Sequence, residues 1–332
     1  MNLNDKYRPK KFTEIVGQNE IKKILQISIT KDRLPNQILL TGSSGVGKTT
    51  FARIIAQTLL CSDLIINNEI CEPCFSCQSC KIFSTETHPD YIEVDAASHG
   101  GKDEINLLAS KVNTAPLISN KRVFVIDEAH AITNAGGTAF LKLLEEPGKD
   151  CYFILCTTDP DKMLETNRGR CIEFNLTYPT IKELVIYITK IVNNENVNID
   201  FEFAELIANE HDRKLGLRGI ANLVSSLISL SNKDITFYEL DIVLNLTNKK
   251  NAKKIINEMI LGSVDLNELI DSFERISNDS FKKITLELLM DKIKFETNKD
   301  KLLILFKESL ENDFEVYWVI YLYYYFKENM YR

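Results

Sequence analysis

The chain has 332 residues, of which 44% are apolar and 26% charged, and a formal net charge of −7. This balance belongs to a soluble globular protein of two or three domains and excludes a uniformly basic nucleic-acid coat, while leaving room for a local basic surface. No apolar run is long enough to span a bilayer, the richest being Val316 to Phe326, and Met1 to Lys6 carries no signal-peptide core, so a cytoplasmic location is expected.

In chain order, residues 20 to 175 alternate strand and helix. The predicted strands are Ile38–Leu40, Tyr91–Val94, Val123–Ile126, Tyr152–Cys156 and Cys171–Phe174, with helical stretches between them. Such alternation predicts an α/β fold with a parallel sheet covered on both faces. After the first strand comes Gly42-Ser-Ser-Gly-Val-Gly47-Lys48-Thr49, which runs into a helical pattern from Phe51 to Leu60. A glycine-rich turn opening a helix offers converging backbone N–H donors and a favourable field for phosphates. Gly42, Gly45, Val46, Gly47, Lys48, Thr49 and Thr50 are therefore the phosphate-binding candidates. Lys48 is expected to reach the outer phosphates, and the Thr49 hydroxyl to face Mg²⁺. The third strand ends in Asp127-Glu128. Asp127 is placed to hold the same metal, and Glu128 to orient and deprotonate a water. Together the two motifs predict binding and hydrolysis of a nucleoside triphosphate. No Asn-Lys-x-Asp string reads guanine, which favours ATP.

Five of the eight cysteines, Cys61, Cys71, Cys74, Cys77 and Cys80, fall within twenty residues. Cys74-x2-Cys77-x2-Cys80 has metal-ligand spacing, and a tetrahedral Zn²⁺ takes four thiolates, so five candidates compete for four places. A set of free thiols is the plainer alternative. Cys151, Cys156 and Cys171 lie in or beside strand-like runs and read as small core residues.

The alternation stops at Tyr178-Pro179. Thr180-Ile-Lys-Glu183 is a capping-box pattern, and the stretch to about Leu244 reads as three or four helices. After a polar break from Asn245 to Asn251, residues 252–332 read as about five amphipathic helices, with caps at Asp265, Ser280 and Asn312. The aromatic cluster of Tyr317, Trp318, Tyr321, Tyr323, Tyr324, Tyr325 and Phe326 reads as helix packing or subunit contact rather than a base-stacking platform, because its flanks are not basic.

The string Tyr7-Arg-Pro-Lys-Lys-Phe-Thr-Glu-Ile-Val-Gly17-Gln18 resembles the opening of clamp-loader ATPases of the AAA+ family. Asp95-Ala-Ala-Ser98, Ala115-Pro116, Asp127-Glu128-Ala-His130, Leu141-Lys-Leu-Leu-Glu-Glu-Pro147 and Thr157-Thr158-Asp159-Pro160 resemble the gamma/tau subunits of bacterial DNA polymerase III, as does the cysteine insert. The likeness covers roughly residues 5 to 225. It implies an AAA+ ATPase domain over 1–178 with a zinc module at about 61–82, a helical lid over 179–244 and an all-α collar for oligomerisation over 245–332. It also implies roles. Tyr7, Arg8, Val16 and Gly17 lie where the family holds adenine and ribose, Thr158 falls at the first sensor and Arg218 at the second. Arg170 falls at the arginine that enters a neighbouring subunit's ATP site, and Cys61, Cys74, Cys77 and Cys80 match the zinc ligands, leaving Cys71 spare. Lys102 and Lys142 match positions that face DNA, although solvated helix-face lysines are nearly as good a reading. His130 reads as structural.

Some positions depart from the pattern. Gly169 replaces a serine before Arg170, Arg168 adds a second arginine nearby, and Gly219 follows Arg218 where the family has Asp. The chain ends at Arg332, short of the domains that hold polymerase and helicase in the longer family form. It is expected to be a minimal three-domain version, a truncated one, or a compact relative from a reduced or mobile genome. The implied function is that of an ATPase subunit that opens a sliding clamp and loads it onto primer–template DNA. The implied partners are the clamp, delta- and delta-prime-type subunits and copies of itself, and the cofactors ATP, Mg²⁺ and Zn²⁺. Two alternatives stand beside it: a non-hydrolysing delta-prime-like subunit, and another AAA+ DNA motor such as a branch-migration helicase.

Overall fold

The computed structural model describes residues 3–210, 216–231 and 233–244, with short stretches between 253 and 326. The elements in order are α1 (Leu3–Lys6), α2 (Asn19–Thr30), β1 (Gln37–Thr41), α3 (Lys48–Leu60), β2 (Ile65–Asn67), β3 (Ile70–Glu72), α4 (Gln78–Phe83), β4 (Tyr91–Asp95), α5 (Ala96–His99), α6 (Lys102–Val112), β5 (Arg122–Asp127), α7 (Asn134–Glu145), β6 (Cys151–Thr157), α8 (Glu165–Arg168) and β7 (Ile172–Asn175). The helices α9 (Ile181–Asn194), α10 (Phe201–Glu210), α11 (Gly216–Leu230) and α12 (Phe237–Leu244) follow. All five predicted strands are present, each within two residues of its expected ends.

The five strands form one parallel sheet in the order β4-β5-β6-β1-β7. Side chains alternate between its faces, as the period of a strand requires. Ile38, Leu40, Val123, Val125, Ile154 and Cys156 point to one side and pack with Phe51, Ile54 and Ile55 of α3 and Leu25 and Ile29 of α2. Leu39, Phe124, Ile126, Phe153 and Leu155 point to the other and pack with Ile105 and Leu108 of α6 and Phe140 and Leu144 of α7. Phe153 stacks on Phe124 at 5.0 Å and meets the edge of Phe140 at 5.7 Å. Both faces are covered over the central strands β5, β6 and β1, which read as nearly unbroken apolar runs, whereas the edge strands β4 and β7 are less buried and carry Glu93 and Glu173. Cys151 and Cys156 are buried as expected, whereas Cys171 is half-buried.

The buried Asp90 and Arg122 pair at 3.2 Å at the start of β4 and β5. Asp90 also accepts the backbone N–H groups of Leu117, Ile118 and Ser119 at 2.7–2.9 Å, which pins the loop before β5. The predicted capping box forms in full at Thr180 and Glu183 and starts α9.

Contacts divide the chain into two compact units, Met1–Ser229 and Leu230–Arg332. In the second unit Leu240 and Leu244 of α12 are buried. Most of the stretch read as a collar lies outside the described residues, as do the caps Asp265, Ser280 and Asn312 and the aromatic residues Tyr317, Trp318 and Tyr325. Among the described residues no helix is long and apolar enough to cross a membrane.

Candidate functional site

The glycine-rich loop joins β1 to α3 at the C-terminal edge of the sheet, where open α/β sheets place ligands. Its backbone demands glycine. Gly42 has φ +142°, and a Cβ there would stand 2.4 Å from the Leu176 carbonyl oxygen. Gly47, with φ +101°, caps α3. The first turn of α3 leaves the N–H groups of Lys48, Thr49 and Thr50 without intrahelical acceptors. Lys48 is buried, and its Nζ donates to the carbonyl oxygens of Gly42 at 2.9 Å and Ser43 at 3.0 Å. Burial lowers its pKa, opposed chiefly by the charge of Glu128 and then by Cys156 and Asp127.

Asp127, the last residue of β5, holds both neighbours of the motif. Its Oδ2 accepts the Thr49 hydroxyl at 2.8 Å, and its Oδ1 accepts the Glu128 N–H at 3.0 Å. Glu128 adopts a left-handed backbone with φ 47°, an uncommon state for a residue other than glycine that is held only where its surroundings over-determine it. The Thr49 hydroxyl and Asp127 carboxylate form a hard oxygen pair beside the loop, which suits Mg²⁺ held partly through its water shell.

These groups open into a cavity of about 620 Å³. Its lining brings together Tyr7, Arg8, Val16, Gly45, Val46, Gly47, Lys48, Thr49, Thr50, Asp127, Glu128 and Arg218. Gly42, at the start of the loop, does not line the cavity. Gly17 lines a neighbouring cavity of about 490 Å³, which shares Tyr7, Arg8 and Val16 with the first. The Tyr7 hydroxyl donates to Glu195, and burial together with that carboxylate pushes its pKa up to about 12. The exposed Arg218 reaches the cavity because the start of α11 sits on the glycine loop: Leu217 N–H donates to the Gly45 carbonyl at 2.9 Å. Asp95, Tyr187 and Leu217 also line the cavity and were not foreseen. Asp95 had a signal, since it ends the strand beside Asp127 and is paired with it in register.

Besides Gly17 and Gly42, the expected Thr158 and Arg170 stand outside the cavity lining, as does Arg168. Thr158 is exposed past the end of β6, whereas Thr157 beside it is buried, with its hydroxyl 3.0 Å from His130 Nδ1. Arg170 pairs with Glu145 and donates to the Thr166 carbonyl at 3.0 Å. Arg168 is engaged by Asp161 and Glu173. Lys102 and Lys142 are exposed on α6 and α7.

A second centre lies beyond α3. The Sγ atoms of Cys61, Cys74, Cys77 and Cys80 all lie within 4.8 Å of one another, with Cys61 at 3.5 Å from Cys74 and 4.0 Å from Cys77. Tetrahedral zinc with Zn–S bonds of ~2.3 Å separates its sulfurs by roughly 3.8 Å, so the four thiols fit that ion. The buried Cys71 sits apart on β3, its thiol 3.3 Å from the Gln26 carbonyl.

The sequence profile of the family described as "DNA polymerase III, delta subunit" matches residues 17–180. DNA polymerase III subunit gamma of Buchnera aphidicola is 33% identical over 250 residues, which cover 75% of this chain and 67% of that protein. The chain belongs to the gamma/tau family of DNA polymerase III subunits. DNA polymerase III subunit tau of Bacillus subtilis is 33% identical over 269 residues, 80% of this chain but 47% of that protein. The chain thus spans less than half the length of this gamma/tau family relative. Among solved structures, the Thermotoga maritima RuvB Holliday junction branch migration motor superposes with a TM-score of 0.55 at 21% identity, covering 86% of this chain and 91% of that one. At that identity the likeness shows the AAA+ fold and nothing further.

Proposed function

We propose that this gamma/tau family member is the ATP-hydrolysing subunit of a sliding-clamp loader. The observation that carries the reading is the meeting of Lys48, Thr49, Asp127 and Glu128 in one cavity, with Arg218 at its rim. Lys48 would exchange the two loop carbonyls for phosphate oxygens. Thr49 and Asp127 would hold Mg²⁺, which neutralises charge on the phosphates. Glu128 would take the proton of the water that attacks the γ-phosphorus, as ADP leaves with the bridging oxygen. Thr158 is assigned to the first sensor, Arg218 to the second, and Arg170 to the site of a neighbouring copy. Cys61, Cys74, Cys77 and Cys80 would hold a structural Zn²⁺.

In this reading ATP binding lets a ring of subunits grip and open the clamp, primer–template DNA completes the sites, and hydrolysis releases the closed clamp. Residues 1–178, 179–244 and 245–332 would act as ATPase domain, lid and collar in the cytoplasm. A delta-prime-like structural role is favoured by the profile match over 17–180. The intact Lys48, Thr49, Asp127 and Glu128 weigh against it. Native mass spectrometry of the chain with clamp, delta-type subunits and ATP, followed by retention of the clamp on primed circular DNA, tests the reading. Failure to assemble or to retain clamp in the presence of ATP rejects it.

A further inference from the structure

We propose that His130 is a positioning residue for Glu128, with its ring set in place by Thr157. The inference rests on the ATPase reading and assigns a task to a histidine that the phosphate chemistry does not use.

The four groups form a chain from the end of β6 to the base. The Asp159 N–H donates to Thr157 Oγ1 at 3.1 Å, and Thr157 Oγ1 lies 3.0 Å from His130 Nδ1. The same Nδ1 lies 3.5 Å from Glu128 Oε2. That carboxylate oxygen is buried, and no hydrogen-bond donor reaches it among the described residues. A buried carboxylate oxygen without a donor is costly, so the nearest available N–H decides where it settles. With its proton on Nδ1, the ring presents one N–H to both Thr157 Oγ1 and Glu128 Oε2. A small approach closes the longer gap to the ~2.8 Å of a charge-assisted hydrogen bond. Catalytic hydrogen bonds are commonly long in the empty site and tighten in the reacting complex.

Two further observations fit a positioning role. Glu128 has a left-handed backbone at φ 47°, an uncommon state that fixes the direction in which its side chain leaves the strand end. Thr157 ends β6 directly before the exposed Thr158 and the turn at Asp159-Pro160, so a displacement of that turn reaches Glu128 through the ring. A base oriented by a third group is the arrangement that activated-water and nucleophile chemistry requires.

The test uses the full chain in the assembled complex with DNA and measures ATP turnover beside ATP affinity. His130→Ala is expected to lower kcat by roughly 10- to 100-fold, the scale of a small misplacement of a reacting group, with ATP affinity unchanged. His130→Asn places an amide N–H where Nδ1 stands and is expected to restore most of the rate. Thr157→Val is expected to act in the same direction, and combining it with His130→Ala should cost no more than the worse single change. In a Glu128→Gln background, His130→Ala should change nothing further. Wild-type turnover in His130→Ala, no rescue by His130→Asn, or an affinity loss matching the rate loss overturns the assignment. A wild-type complex that does not hydrolyse ATP overturns the ATPase reading and this one with it. An active complex indifferent to His130 overturns this one alone.

Discussion

Gly216 packs against Gly45: with φ +61°, a Cβ at Gly216 would stand 2.5 Å from the Gly45 Cα. The start of α11 therefore touches the phosphate loop backbone to backbone, and this contact carries Arg218 to the cavity. Gly216→Ala is expected to destabilise the chain by about 1–3 kcal/mol, the scale of local backbone strain, and to weaken ATP binding through the displaced helix. Chemical denaturation with and without ATP checks both, and wild-type values in both would show that the contact yields freely.

Glu128→Gln keeps shape and hydrogen bonding but cannot take a proton. ATP binding should persist while turnover in the assembled complex falls by ~10²-fold or more. Unchanged turnover rejects Glu128 as the base.

Elemental analysis of dialysed protein should find one zinc per chain, in a closed structural site. Cys61→Ser should lose the ion and Cys71→Ser should keep it, because Cys71 faces Gln26 and stands apart from the other thiols. The reverse pattern, or a folded chain without metal, contradicts the assignment.

Arg170 is proposed to act in a neighbouring site, and an arginine that stabilises transition-state charge is worth ~10³-fold or more. Arg170→Ala and Lys48→Ala proteins should each be nearly inactive, while their mixture should recover part of the rate at mixed interfaces. A verified mixed oligomer that stays inactive would sink the shared site and turn attention to Arg168.

Acid should destabilise the fold in two stages. Burial lowers the pKa of His88, whose Nδ1 accepts the Asp90 N–H at 3.1 Å. Burial alone would raise Asp90, but the N–H groups of Ser119, Ile118 and Leu117, together with Arg122, outweigh it and hold the carboxylate below its usual value. Both groups bind protons more readily in the unfolded chain, so their contribution is complete above the unfolded histidine value of 6.5. It declines first as His88 takes a proton below that pH, then as Asp90 does so below the ordinary aspartate value of 3.8. Denaturation midpoints between pH 8 and 4 measure the first stage, and flat midpoints exclude it. Asp90→Asn leaves Arg122 without its charge partner and should cost about 3–5 kcal/mol at neutral pH.

The sheet was legible because its central strands are apolar runs closed by polar turns, and the edge strands keep apolar residues at alternate positions. The phosphate loop and Asp127-Glu128 were legible because their chemistry is local in sequence. The β2–β3 hairpin was not. Ile65, Ile66 and Ile70 are exposed, so no burial pattern marks them, and the turn takes positive φ at Asn68 and Glu69 without the glycine that normally announces such a turn. The contact of Gly216 with Gly45 left no trace because it joins distant segments through atoms every residue shares. Between Thr157 and Thr158 the residue types are identical, and only the last step of the strand's alternation decides which hydroxyl turns inward.

The position of β1 has a consequence for synthesis on the ribosome. This strand carries the phosphate loop, yet its two neighbours in the sheet, β6 and β7, are the last strands of the sheet to be made. Gly42 is pressed against the Leu176 carbonyl, and Leu176 N–H donates to the Thr41 carbonyl at 2.8 Å. At ~5–20 residues per second, the loop waits roughly six to twenty-six seconds for the residue that shapes it. Until β6 emerges β1 has two open edges of apolar strand, and until β7 emerges it keeps one, the kind of surface that nascent-chain chaperones cover. The surroundings that shape the glycine loop are therefore completed late, once β7 and Leu176 are in place, rather than accumulating as the chain emerges.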